Sequence, residues 1–321
     1  MTPAGQPAGA TPSGRRRPGE NSERGKSATG GDLTLTAMRR SAAVLVRPVL
    51  WAVVVSLAAC GHRSVATAKG EVAIESSVRR IRVEIENGTL GFRPPEDGKA
   101  APAVEYQGGV RKMAESEEQL RTLDALSPEL TSELVDGGET LVLRGPSLPE
   151  GVSGMIAFEA GIRLPATMPL EVIVKRNGHV TMADRAAPTL VETGRGDLRF
   201  ENCAGGIEAK TGGGVVIAFG IRGDLDIRTL RGDMQAFFVQ AGDEITLETG
   251  QGTIQCRVPP ETGFDLDARV EIGKIGPGFG LEPRRIGDYS AAMTGRHGDG
   301  RTKVVLRSAS GHISFAEHEQ R

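Results

Sequence analysis

The stretch Leu190–Cys256, LVETGRGDLRFENCAGGIEAKTGGGVVIAFGIRGDLDIRTLRGDMQAFFVQAGDEITLETGQGTIQC, decides the fold. A glycine recurs every nine residues, at Gly196, Gly205, Gly214, Gly223 and Gly232, and two steps of ten follow, to Gly242 and Gly252. Most are followed by Gly-x-Φ-x-Φ, where Φ is apolar or Ala: Leu198 and Phe200, Ile207 and Ala209, Val216 and Ala218, Leu225 and Ile227, Met234 and Ala236, Ile254 and Cys256. The Gly242 unit slips, with Ile245 and Leu247 one place late, which predicts a bulge. Alternation at period two puts one side of each short strand inside. Glycine supplies the turns, because it accepts positive φ freely.

A strand of about five residues cannot bury one apolar face alone. Like units must stack to make a core, as in solenoids. Two nine-residue units make one coil, and successive coils lie ~4.8 Å apart. The rival is an antiparallel sandwich with turns every ~8–12 residues. Against it stand the regular period and the scarcity of Asn-Gly hairpin signals inside the repeat. The frame recurs elsewhere: Asn87-Gly88 before Leu90 and Phe92, Asn177-Gly178 before Val180 and Met182, Gly311 before Ile313 and Phe315. The expected fold is all-β: a single-domain β-solenoid, a β-helix-like stack of short strands over residues 71–316, with one short helical insertion and a fraying tail, 317–321.

Residues 1–37 are rich in Pro, Gly, Ser and Arg and nearly free of large apolar side chains. Such a segment cannot offset its ordering entropy. It is expected to be disordered, or an extension ahead of a true start at Met38. Residues 38–60 read as a secretory signal: Met38-Arg39-Arg40, an apolar run from Val49 to Ala59, and small residues before Cys60. The run is too short for an ordinary bilayer span. Leu57-Ala58-Ala59-Cys60 resembles the bacterial lipobox, which implies lipidation of Cys60, a membrane partner through that anchor, and an address in the cell envelope (the outer membrane in a Gram-negative host). Residues 61–70 are expected to form a polar tether.

Of 39 basic and 41 acidic side chains, eight and three lie in residues 1–60, leaving 31 and 38 after Cys60, a net of −7. A mildly acidic module is a poor nucleic-acid binder, so nucleic acid is excluded as a partner. Trp51, the single tryptophan, falls in the signal, so the exported part lacks the side chain best suited to stacking on sugars or bases. Cys203 and Cys256 are 53 residues apart, about three coils or ~14 Å along a stack. A disulfide needs Cα atoms within ~7 Å, so both are predicted to be free thiols.

Outside the repeat, Ile81–Ile85, Val104–Tyr106, Glu139–Leu143, Ile156–Leu164, Leu170–Val174, Val304–Leu306 and Ile313–Phe315 read as strands, and Gly273–Gly280 as a glycine-rich loop. Lys112–Leu126 (KMAESEEQLRTLDAL) is the helical insertion, with Met113, Leu120, Leu123 and Leu126 forming a narrow apolar stripe that packs on the stack.

The order of motifs resembles the bacterial toastrack domain, also called the putative-adhesin domain. The residues that carry the likeness are Val83-x-Ile85-x-Asn87-Gly88, the step from Leu164-Pro165 through Leu170-x-Val172 to Asn177-Gly178, and the Thr-x-x-Gly units starting at Thr193, Thr211, Thr229 and Thr249. Val258-Pro259-x-x-Thr262-Gly263-Phe264 and Leu306-x-Ser308-x-Ser310-Gly311 complete it, over about residues 72–316. The resemblance implies an exposed, often anchored envelope domain with roles in adhesion or envelope-stress sensing. It supplies no catalytic residues.

Arg-Gly-Asp occurs at Arg195–Asp197, Arg222–Asp224 and Arg231–Asp233. It reads as an integrin-type adhesion motif or, in preference, as turn chemistry repeating with the solenoid. Asp224 and Asp243 fall on one edge, but no unit has the Gly-Gly-x-Gly-x-Asp pattern of calcium rolls, and Ca²⁺ wants about six to eight oxygens; no metal or other cofactor is expected. Gly276–Gly280 lacks the Lys-Ser/Thr of a phosphate loop and reads as a surface loop. His297, His312 and His318 are scattered, and Ser308 and Ser310 have no nucleophile-elbow setting. No catalytic set is predicted. The expected function is a lipid-anchored envelope protein presenting a non-catalytic solenoid to a protein or glycan partner. The alternatives are an envelope-stress accessory protein binding a membrane partner and, further off, a polysaccharide-active enzyme.

Overall fold

The apolar side of the glycine frame is the core. In the computed structural model, which describes residues 61–96 and 103–318, every Φ side chain from Leu198 to Cys256 is at most 3% exposed. In chain order the strands are β1 (His62–Ala73), β2 (Arg80–Ile85), β3 (Gly88–Arg93), β4 (Ala103–Ala114), β5 (Thr131–Val135), β6 (Thr140–Arg144), β7 (Gly154–Arg163), β8 (Leu170–Ala183) and β9 (Thr189–Arg195). They continue as β10 (Leu198–Glu201), β11 (Ile207–Thr211), β12 (Val216–Thr229), β13 (Met234–Gln251), β14 (Ile254–Val258), β15 (Phe264–Gly276), β16 (Arg284–Arg285), β17 (Ala291–His297) and β18 (Thr302–Glu317). One helix, α1 (Glu117–Asp124), lies between β4 and β5.

The repeat forms two parallel faces. On the A face Leu198 pairs with Val216, Val216 with Met234 and Met234 with Ile254. On the B face Ile207 pairs with Leu225 and Leu225 with Ile245. Each coil runs from the B face to the A face. Along the stack the coils are β6–β7, β2–β3, β8, β9–β10, β11 into β12, β12 into β13, β13 into β14, then β18 and β15. Sequence order is broken in the same way at both ends. The first coil, β2–β3, has β6–β7 outside it, and the last, β18, is inserted between β14 and β15. Chain ends fray unless tied down; here each terminal coil is hydrogen-bonded on both sides.

Antiparallel strands finish the stack. At one end β4 and then β1 add to β7, while β5 adds to β6. At the other, β17 adds to β15 and β16 to β17. Between β4 and β5, α1 starts at Ser116, whose side chain accepts the Gln119 N–H, and buries Leu123 completely. The expected helix Lys112–Leu126 is thus corrected to Glu117–Asp124. Lys112–Ala114 belong to β4, whose two edges are taken by β1 and β7, and the Ser116 cap sets a later start. Lys112 is 1% exposed and its Nζ donates to the Leu126 carbonyl at 3.0 Å, which closes the helix C-terminus.

The expected tether 61–70 is a strand from His62 onward. Its composition looked like a linker, but Ala66, Ala68 and Gly70 are small residues on one side: Ala68 is fully buried, and Gly70 makes room for the Tyr106 ring. The expected loop Gly273–Gly280 begins only after Gly276, because β15 continues alongside β18. Glu317, expected to fray, ends β18, and the His318 N–H donates to the Val258 carbonyl at 2.8 Å. Cys60, the signal 38–60 and the segment 1–37 lie outside the described residues.

The slip at Gly242 is a real irregularity. Leu225 pairs with Ile207 eighteen residues earlier, but Ile245 pairs with Leu225 twenty residues earlier, with register shifts between Phe219 and Leu225. Cys203 and Cys256 are both buried free thiols, and burial raises the pKa of each. Arg185, 1% exposed, clamps the turn before β8 by donating to the Pro165 carbonyl at 2.6 Å and to that of Met168. Its burial pulls its pKa down to about 10.

Candidate binding faces

The side chains between the buried Φ positions point outward and line up from coil to coil. On the B face they are mostly charged. Lys210 Nζ lies 2.7 Å from Glu208 and 3.6 Å from Glu192. Arg228 lies 2.9 Å from Asp226 and 3.4 Å from Glu248, and Arg269 and Arg307 share Asp267. The hydrogen bond from Lys210 to Glu208 raises the lysine pKa. Partial burial raises that of the Asp226 carboxyl, with Arg228 opposing. This ladder floors an open groove of about 1400 Å³, bounded toward the β16–β17 end by Ile286 and Ser290. Lys210, Arg228, Arg269 and Arg307 each face a carboxylate, so an incoming anion competes with partners already in place.

The A face differs. Ala218, Ala236 and Cys256 point inward, which turns Phe219, Phe237 and Arg257 outward in one row. Phe219 is 51% exposed, and its ring centroid is 6.0 Å from that of Phe237. The Arg257 guanidinium lies over the Phe237 ring at 5.7 Å, and His318 meets the same ring edge-on at 5.9 Å. Val215, 39% exposed, stands at the start of the same sheet. A flat apolar stripe with amides (Gln235, Gln255) and a guanidinium beside it suits a partner surface that is part apolar and part polar. The alternation that marked the core could have exposed this stripe: the positions between Val216 and Ala218, and after Ala218, are Ile217 and Phe219, both apolar where the frame faces water.

The Arg-Gly-Asp aspartates are exposed at the corners but engaged by backbone N–H groups of the solenoid itself. Asp197 Oδ1 accepts the Val215 N–H at 2.8 Å, and Asp233 Oδ1 accepts that of Thr253 at 2.7 Å. Asp224 Oδ1 accepts two, from Asp243 at 2.7 Å and Glu244 at 3.0 Å. Each carboxylate caps the corner of the next coil, which supports the turn reading. Asp224 and Asp243 are brought together, but Asp243 pairs with Arg301 at 3.0 Å. Among the described residues no three His, Cys, Asp or Glu side chains are placed to hold a metal ion.

The loop after Gly276 is an end plug as well as a surface loop. Phe279 packs on Phe264 at 4.8 Å and Phe315 at 5.2 Å, and His297 stacks on Phe264 at 5.3 Å. His297, His312 and His318 fall at the end cap, an exposed corner and the A face respectively. Ser308 is buried and donates to the Gly252 carbonyl at 3.1 Å, while Ser310 pairs across strands with Gln251. Neither serine stands beside a histidine base in the hydrogen bonds described. Among the described residues no helix is long and apolar enough to cross a membrane.

No family model matches the chain, and no curated protein matches it. Among solved structures it is similar to a "putative cell adhesion protein" from Clostridium sporogenes, at 13% identity and a TM-score of 0.31 over 80% of this chain and 100% of that one. It is similar to a "putative adhesin" from Bacteroides fragilis, at 11% identity and a TM-score of 0.30 over 79% and 97%. A "putative lipid binding protein" from Parabacteroides distasonis shares 13% identity at a TM-score of 0.24 over 81% and 98%.

Proposed function

We propose that this chain is an exported protein of the toastrack kind, lipid-anchored in the cell envelope through Cys60, whose β-solenoid presents a binding face and performs no reaction. The observation that carries the binding reading is the Phe219–Phe237 stripe, an apolar row with Phe219 exposed and Phe237 half-buried on the outer side of the A face, in a solenoid whose B face is paired charge by charge. The anchor rests on the Leu57-Ala58-Ala59-Cys60 sequence, and the address in the envelope follows from it. No reaction is assigned, and Lys210, Arg228, Arg269 and Arg307 of the larger groove are each paired with a carboxylate.

Two experiments test the two halves. Cells expressing the chain are grown with radiolabelled palmitate; label on the wild type and none on Cys60→Ala supports the anchor, and an unlabelled wild type overturns it. Purified protein is then titrated on isolated cell envelopes and on envelope glycan. Binding weakened about tenfold or more by Phe219→Ser with Phe237→Ser, at unchanged thermal stability, supports the A face as the contact. Equal binding by the double variant refutes it.

A further inference from the structure

The outer edge of β1 is open. Among the described residues β1 pairs along His62–Ala73 with β4 and with no other strand. An open edge offers a row of backbone donors and acceptors to another strand, and proteins guard such edges with bulges, prolines or charges. Here the edge is twelve residues long, without proline or a break in register. Its outward side chains are Arg63, Val65, Thr67, Lys69 and Glu71, and Val65 is 74% exposed.

We propose that this edge pairs with the same edge of a second copy, antiparallel about Thr67, joining two solenoids into one continuous A-face sheet. The charges select both the occupant and the register. With Thr67 opposite Thr67 of the second copy, Arg63 falls opposite Glu71 of the second copy and Glu71 opposite its Arg63. Each charge then meets its opposite, twice in a two-fold dimer. Val65 meets the aliphatic stem of Lys69, and Ala66 meets Ala68. Moving the centre one residue, to Ala66, sets Arg63 against Lys69 and repels. Neither Arg63 nor Glu71 is in an ion pair among the described residues, so both are available. A two-fold contact closes on itself, so the open edge is used up rather than extended into a fibre. The competing possibility is that Arg63, Lys69 and Glu71 guard the edge against any pairing.

Sedimentation equilibrium of the full chain in detergent decides between them. The expected result is a dimer that dissociates at least about tenfold more readily in Arg63→Glu and in Glu71→Arg, and recovers to near the wild-type constant in the double reversal. Both substitutions sit at exposed positions and leave the stack intact. A wild type that stays monomeric at about 100 μM, or a double reversal no better than the singles, overturns the proposal. A second readout uses mild oxidation. Thr67→Cys brings two thiols together across the two-fold axis and gives a disulfide-linked dimer, whereas Lys274→Cys, on the terminal coil at the far end of the stack, does not. Cross-linking equal at both positions, or only at 274, also overturns it.

Discussion

The two corners of each coil are closed by different means. The corner leading onto the A face carries Gly196, Gly214, Gly232 and Gly252, at φ between +134° and +151°. Each lies so close to the carbonyl of the glycine one coil below that a Cβ would strike it. The corner leading onto the B face carries Gly205, Gly223 and Gly242; only Gly223 has a positive φ, at +110°, although a Cβ at Gly205 or Gly242 would also strike the backbone one coil below. Here the chain takes up two extra residues between Leu225 and Ile245, and side chains such as Asp224 close the turn. A ladder of positive-φ glycines stacked carbonyl to carbonyl marks the first corner, which Asp197 and Asp233 also cap; the second lacks that ladder, and Asp224 caps it around the two inserted residues. Leu198, Val216 and Met234 keep an eighteen-residue step through this ladder, and register shifts occur at both kinds of corner, between Val174 and Asn177 leading onto the A face and between Phe219 and Leu225 leading onto the B face.

The sharpest way to break this contrast is a methyl group. Gly214→Ala is expected to lower unfolding free energy by about 2–4 kcal/mol, through both the positive φ and the clash. Gly206→Ala, whose Cβ would meet nothing within 4 Å, is expected to change it by less than about 0.5 kcal/mol. Urea unfolding of the two variants measures both, and equal losses would refute the distinction. Next in size are the caps. Asp224→Ala strands two N–H groups and should cost about 2 kcal/mol, whereas Asp197→Ala strands one and should cost about 1 kcal/mol; the same titration ranks them.

The thiols sharpen the contrast further. Cys203 leads into the B-face corner and Cys256 lies in an A-face strand, both buried with raised pKa. A thiol reagent at neutral pH should label Cys203 about tenfold faster than Cys256, because Cys203 lies in a turn whereas Cys256 lies in a strand paired on both sides. Mass mapping of labelled peptides reads the two rates, and the reverse order would count against a looser corner. The smallest effect is titration. Asp226, just past the bulged corner, has a folded pKa raised above the ordinary 3.8, chiefly by burial. Its protonated form is favoured in the folded state. Its contribution to stability is fully present below 3.8 and is lost as pH rises through the folded value. Asp226→Asn should flatten this part of the pH profile in thermal denaturation; an unchanged slope would place the pH dependence elsewhere.

Sequence alone determined the inside and the period: the Φ positions from Leu198 to Cys256 are buried because strand alternation is local, two residues to a repeat. It marked the slip at Gly242, since a lost phase is visible in one dimension. It also paired Cys203 with nothing, by spacing. Tertiary structure alone decided which coil lies beside which. Nothing in the alternation of β2 or β18 says that β6–β7 will lie outside one or that the other will insert between β14 and β15; parallel pairing is chosen by contacts far apart in the chain. The same holds for residues 62–70, polar enough to look like a linker and ordered only because β4 offered an edge. Phe219 and Phe237 became a surface only when coils eighteen residues apart set their rings side by side. Burial follows from the local pattern, whereas order of stacking and the make-up of a face follow from neighbours that the chain meets only after folding.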